Sequence, residues 1–152
     1  MNKCRKFLRL SGRERCWLFQ ALLLLPLTAL VLRLLGLRLS HSALASSARC
    51  PPNPRAARLA AETEKVTRMV QLASAHSFFR PHCLHRSLVL WWLLRRAGIE
   101  GELRIGVSKQ AGRLSAHAWV ECGGSALNER GDVRQRFAPL AASLPPMEPT
   151  TS

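Results

Sequence analysis

The sequence predicts an α+β protein: an N-terminal hydrophobic helical arm, then helices, then a small antiparallel sheet on which those helices pack. Three observations predict it. Residues 17–32 (WLFQALLLLPLTALVL) form an uncharged run between basic flanks. Residues 55–75 and 83–97 carry apolar positions at helical spacing. Residues 102–107 and 115–122 alternate in the manner of strands, and a Gly-Gly turn follows the second of them.

The chain has 152 residues, enough for one domain. Composition divides it into a basic, hydrophobic helical arm (1–45), a folded domain (46–140) and a tail (141–152) with three prolines that reads as disordered. There are 23 Lys and Arg against 9 Asp and Glu, a net charge of +14. Such a balance favours acidic partners. No helix-turn-helix, zinc-finger or RNA-binding signature accompanies it and Tyr is absent, so no nucleic-acid partner is expected. Cysteines stand at 4, 16, 50, 83 and 122, an odd number without a C-x-x-C pair. That argues against a disulfide scaffold or a structural zinc site and for a reducing, cytoplasmic setting.

The arm opens with Lys3, Arg5, Lys6, Arg9, Arg13 and Arg15, and Arg33 and Arg38 follow the apolar run. Three readings stay open. A membrane-spanning helix wants about 20 apolar residues, and Pro26 interrupts this one. A signal peptide would explain the basic start and the Ala43-Leu44-Ala45 segment. Against it, Glu14 lies in the basic leader and two arginines precede the cleavage-like segment. The third reading is a helix pair broken near Pro26, packed on the domain or lying at a membrane surface.

Residues 40–54 (SHSALASSARCPPNP) read as a linker. The next helix places Leu59, Val66, Met69, Val70 and Ala73 on one side and ends before Pro81. Cys83 starts the strongest helix, with Leu84, Leu88, Trp91 and Trp92 on related turns, Arg95 and Arg96 near its end, and Gly98 beyond it. Leu103, Ile105 and Val107 alternate along the first strand. Residues 108–114 read as a polar loop, and a third strand is expected to begin at Ala126.

Chemistry concentrates at Cys83. A thiol at a helix start is exposed to backbone N–H groups and a dipole that favour its thiolate. The plainer alternative is a buried structural cysteine. A thiol nucleophile needs a base, itself oriented by a third group. His117, on the second strand, is the candidate base. If Gly123-Gly124-Ser125 forms a three-residue loop, Trp119 pairs with Glu129, and Glu129 falls diagonal to His117 on the face shared by His117, Trp119 and Glu121. A two-residue loop would put Glu129 on the other face. Glu121 and Asp132 are rivals for the orienting role, with Asp132 ranked second. His76, His82 and His85 lie close to Cys83 in sequence, but a fourth ligand pattern is missing, so neither metal nor cofactor is expected.

The segments CLHRSLVLWWLLRRAGIEGELRIGVSK and AHAWVECGGSALNE resemble the transglutaminase-like domain of lasso-peptide leader peptidases. The matching positions are Cys83, Leu84, Arg86, Ser87, Leu88, Gly98, Ile105, Gly106, Val107, residues 116–121, Leu127 and Asn128. The hydrophobic, basic start is also similar to that of standalone members. The resemblance implies a transglutaminase-like, papain-like cysteine protease core, with Cys83 as nucleophile, His117 as base and Glu129 where Asp is usual in the family. It implies cleavage of a leader from a ribosomally made precursor. The implied partners are the leader peptide, a separate leader-recognition protein and a lasso cyclase acting after cleavage. The alternative from another class is a non-catalytic or cross-linking accessory protein at the membrane.

Overall fold

The computed structural model describes residues 10–47, 56–78, 81–110, 113–129 and 131–140. The disordered-tail reading of residues 141–152 lies outside them, as do Cys4 and Cys50. The elements in chain order are α1 (Gly12–Ser47), α2 (Ala56–His76), α3 (Cys83–Arg96), β1 (Glu102–Gln110), β2 (Arg113–Cys122), β3 (Ser125–Ala126), α4 (Val133–Arg136) and β4 (Ala138–Pro139).

α1 starts at a capping box. Glu14 donates its amide to Ser11 Oγ at 3.3 Å, and its carboxylate accepts the Ser11 amide at 2.7 Å. The lone acid in the basic leader thus has a local task, and these bonds hold its carboxyl below the usual range. α1 then runs unbroken through Pro26 and on to Ser47. This corrects two expectations: a break near Pro26, and a linker from residue 40. An interior proline costs about 3 kcal/mol. Ala21, Leu25 and Thr28 are buried on either side of it, and burying one Leu contributes about 1.5–3 kcal/mol. Packing on this face therefore offsets the proline.

One core joins the elements. Trp17, Leu18, Ala21 and Leu25 of α1 meet Val66, Met69, Val70 and Ala73 of α2, the middle of α3, Leu103 of β1 and Val120 of β2. Arg13 ties α1 to α2 through Glu62 at 2.8 Å. The positions picked out in α2 by spacing are buried, apart from the half-buried Leu59, and Thr63 and Thr67 are buried beside them. α3 is buried continuously from Ser87 to Leu94. It ends in a Schellman motif: Ile99 N donates to Leu94 O, Gly98 N donates to Arg95 O, and Gly98 has φ 77°.

The sheet is antiparallel with order β3-β2-β1-β4. β1 and β2 pair from Glu102↔Glu121 to Gln110↔Arg113. The predicted polar loop at 108–114 is therefore largely strand. The far end of this hairpin extends past the core, so no apolar alternation marks it. Gly123 and Gly124 make a two-residue turn with φ 56° and 80°, and the register is Cys122↔Ser125 and Glu121↔Ala126. A turn with positive φ at both central positions favours Gly-Gly. This corrects the three-residue loop, and β3 stops after two residues.

α4 and β4 are additions that spacing did not reveal. α4 lies on the sheet face away from the helical core, where Trp119 and Val133 are buried and Arg134 bonds Glu121, and β4 extends the sheet beyond β1. Leu140 N donates to Ile105 O at 2.8 Å and extends the pairing of β4 with β1.

Candidate active site

The free edge of β2 organises the site. At Val120 the ladder changes partner type: Leu127 N donates to Val120 O at 2.9 Å, but Val120 N donates to the side-chain Oδ1 of Asn128, also at 2.9 Å. A side-chain carbonyl has taken the place of a backbone one. The chain is released from the ladder while the β2 amide stays satisfied. Asn128 Nδ2 donates to Ser87 Oγ at 2.9 Å, and Ser87 Oγ donates to Ala118 O at 2.9 Å. Ser87 is fully buried. Its hydroxyl occupies the edge where a longer β3 would have paired.

That network fixes the start of α3 beside β2. Cys83 is the first residue of α3 and lies one turn before Ser87, about 6 Å along the axis. Ser87 in turn bonds the carbonyl of the residue next to His117. His82 caps the helix in extended conformation with no side-chain hydrogen bond. The first amides of α3, including that of Cys83, have no partner within the helix, as at any helix start. Cys83 is half-buried and in the free thiol form.

His117 and Glu129 are brought together. His117 Nε2 lies 2.8 Å from Glu129 Oε1, with both side chains largely buried. The imidazole nitrogen is sealed from solvent, and the contact lies off the direction of a well-aligned hydrogen bond. The ring stacks on Phe137 at 4.9 Å between centroids and lies 6.3 Å from Trp119. Arg136 approaches the second oxygen of Glu129 at 3.4 Å. Glu129 meets His117 although the turn has two residues, because the chain leaves the ladder at Asn128. The pairing was expected, but on a register that does not form.

The thiol side of the constellation is not closed. No hydrogen bond joins Cys83 to His117 among the described residues. His117 shares its sheet face with Trp119 and Glu121, whereas Leu103 and Val120 on the other face enter the helical core.

The rival acids have other employment. Glu121 accepts from Trp119 Nε1 at 2.8 Å and from Arg134 Nε and an Arg134 terminal nitrogen at 2.9 and 2.6 Å, with Arg104 Nε at 3.4 Å. The Arg134 hydrogen bonds lead in holding its carboxyl below the ordinary range against the effect of burial. Asp132 caps α4 by accepting from Arg134 N at 3.0 Å. An Asp before a short helical pattern signals such a cap in the sequence. Nothing local announced that Arg104 and Arg134 would flank Glu121.

His82 and His85 have ring centroids 5.7 Å apart, and burial, then the neighbouring His82, pushes the His85 imidazole below its ordinary value. Among the described residues no group of three His, Cys, Asp or Glu side chains is arranged to hold a metal ion. Cys122 is half-buried, and burial raises its thiol.

Two hollows approach the site. A cleft of about 270 Å³ is lined by Thr67, Val70, Gln71, Ser74, Arg86, Leu90, Asn128 and Glu129. A groove of about 660 Å³ shares Thr67 and Gln71 with it and continues along α2 past Leu59, Ala60 and Thr63 to Cys122, Ala126 and Leu127. The Thr67 hydroxyl, buried where the two meet, has no hydrogen-bond partner.

The transglutaminase-like superfamily model matches residues 22–142, and the chain belongs to that superfamily. It has the corresponding α+β fold, with helices on a small antiparallel sheet and an apolar N-terminal helix, and the match begins inside α1. No curated protein and no solved structure matches the chain.

Proposed function

We propose that this protein is a cysteine peptidase that removes the leader from a ribosomally synthesised lasso-peptide precursor, with Cys83 as nucleophile, His117 as base and Glu129 as the group that orients the imidazole. The observation that carries the reading is the Ser87–Ala118 hydrogen bond, which anchors the first turns of α3 next to the strand residue bearing a histidine already paired with a carboxylate. With Nε2 turned to Glu129, Nδ1 is the nitrogen left for the thiol.

In the reaction, His117 takes the thiol proton and Cys83 Sγ attacks the carbonyl at the leader–core junction. The carbonyl oxygen gains negative charge near the α3 N-terminus, where the Cys83 amide is a donor. His117 returns the proton to the leaving amine, leaving a thioester on Cys83. Water then adds, with its proton passing to His117, and the thioester breaks to free the leader's carboxylate and the thiol. This requires His117 and Cys83 to come within hydrogen-bond reach, and unliganded sites commonly tighten only when substrate arrives. The groove along α2 that leads towards Glu129 suits an extended peptide. The partners in this reading are the precursor leader, a separate leader-recognition protein and a lasso cyclase.

A second reading is a transglutaminase-like accessory protein, non-catalytic or cross-linking. The open Cys83–His117 contact favours it. One experiment separates the readings: the full-length chain is mixed with a precursor and its recognition protein, and the products are weighed by mass spectrometry. Peptidase activity yields two fragments, lost in Cys83→Ala. A single joined product indicates cross-linking. Unchanged precursor, with Cys83 reacting no faster than Cys16 towards iodoacetamide, identifies the accessory role.

A further inference from the structure

The two sides of α1 are both apolar, but they meet different surroundings. Trp17, Leu18, Ala21, Leu25 and Thr28 are buried in the protein. Phe19, Leu23, Leu27, Leu30 and Leu34 are between 45% and 75% exposed, at 65, 57, 50, 54 and 71% respectively. At 3.6 residues per turn these five fall within an arc of about 80°, nearly opposite the buried set. The stripe is about 22 Å long. The segment Gly12–Leu34 has the length and apolarity to cross a bilayer, with a mean hydropathy of 1.9 over its most apolar 18 residues.

Its buried face argues against crossing. A spanning α1 would strip its cover from Val66, Met69 and the middle of α3, or carry α2 into the hydrocarbon. α2 exposes Glu64, Lys65, Arg68 and Gln71, and charged side chains are costly there. The exposed stripe nonetheless needs a cover, because apolar patches of this kind mark interaction surfaces. Charge selects among covers. Arg15 and Arg33 are exposed and lie five helical turns apart, on the same flank of the stripe. Lys3, Arg5, Lys6 and Arg9 precede the helix, and the whole chain carries +14.

We infer that α1 is an in-plane anchor: its exposed stripe sinks into the surface of an anionic bilayer while its other face stays in the protein core. The arginines on its flank sit among acidic headgroups, and the domain remains on the water side.

The test uses the full-length protein and vesicles of phosphatidylcholine with or without phosphatidylglycerol. Flotation should recover the protein with the anionic vesicles only, and Leu23→Glu with Leu27→Glu should lower binding at least about tenfold while far-UV circular dichroism is unchanged. If that pair unfolds the chain, Arg15→Gln with Arg33→Gln should still weaken anionic binding. Depth is read by introducing Phe19→Trp or Leu30→Trp and quenching with lipids brominated at shallow or deep positions, taking the difference from the parent protein. An in-plane helix places both reporters at one depth, whereas a perpendicular helix separates them by about 16 Å. No vesicle binding, or unequal depths, overturns the inference. So does conversion of a dimer to a monomer by Leu23→Glu with Leu27→Glu without any lipid binding, which would make the stripe an interface between copies.

Discussion

The side-chain amide of Asn128 donates to the buried hydroxyl of Ser87 across 2.9 Å, joining residues 41 positions apart. That bond, with the ones Asn128 and Ser87 make to β2, decides where β3 ends and where Glu129 points. Removing either partner leaves a buried polar group unsatisfied, which costs about 1–3 kcal/mol. Ser87→Ala and Asn128→Ala should each lower the unfolding free energy read from urea titration by that amount, and the double variant should lose less than the sum. Strict additivity would show that the two side chains act independently.

On the proposed peptidase function, Glu129→Gln should lower leader cleavage by about a hundredfold or more, since the amide no longer supports a cationic imidazole. Asp132→Asn should leave cleavage within a few-fold, because Asn caps α4 as Asp does. The comparison is made on turnover of precursor at saturating recognition protein. A larger loss at Asp132 than at Glu129 would transfer the orienting role.

The Glu121 carboxyl is held below its ordinary value near 4.5, first by the Arg134 hydrogen bonds, with further help from Trp119 and Arg104. The native state therefore binds this proton less tightly than the unfolded chain. The stabilisation is fully present above about pH 4.5 and is lost as pH falls through the lower native value. Glu121→Gln should be less stable than the parent at neutral pH, and the gap should narrow on acidification. Urea midpoints measured across that range check this, and a gap independent of pH would refute it.

A Cβ at Gly106 would stand 2.8 and 2.9 Å from the Trp119 ring and 3.0 Å from Ala138 O. Gly106→Ala should cost about 1–3 kcal/mol by thermal or urea unfolding, as overpacking does. Trp119→Phe withdraws the part of the ring in question, so the penalty should shrink in that background. An equal penalty in both backgrounds would place the strain elsewhere.

Much of the fold was legible because it is encoded locally. The spacing of Val66, Met69, Val70 and Ala73 reports the buried side of α2, and the run from Leu88 to Leu94 with Gly98 after it reports a deep helix with a left-handed stop. The alternation of His117, Trp119 and Glu121 reports one sheet face, and the Trp119–Glu121 hydrogen bond lies on it. Such signals need only neighbours within a turn or a strand. α4 escaped notice because it is a single turn, too short to show a period, although Asp132 marks its start.

By itself the sequence determined that a cysteine would head a buried helix and that a histidine would follow on a strand, since capping, periodicity and glycine turns act over a few residues. Tertiary structure decided the rest. Pro26 stays inside a helix because α2 and α3 pack across it, and Glu129 reaches His117 because Ser87 and Asn128 end the ladder early. Those outcomes depend on groups dozens of residues apart competing for the same backbone atoms, and no local pattern records who wins.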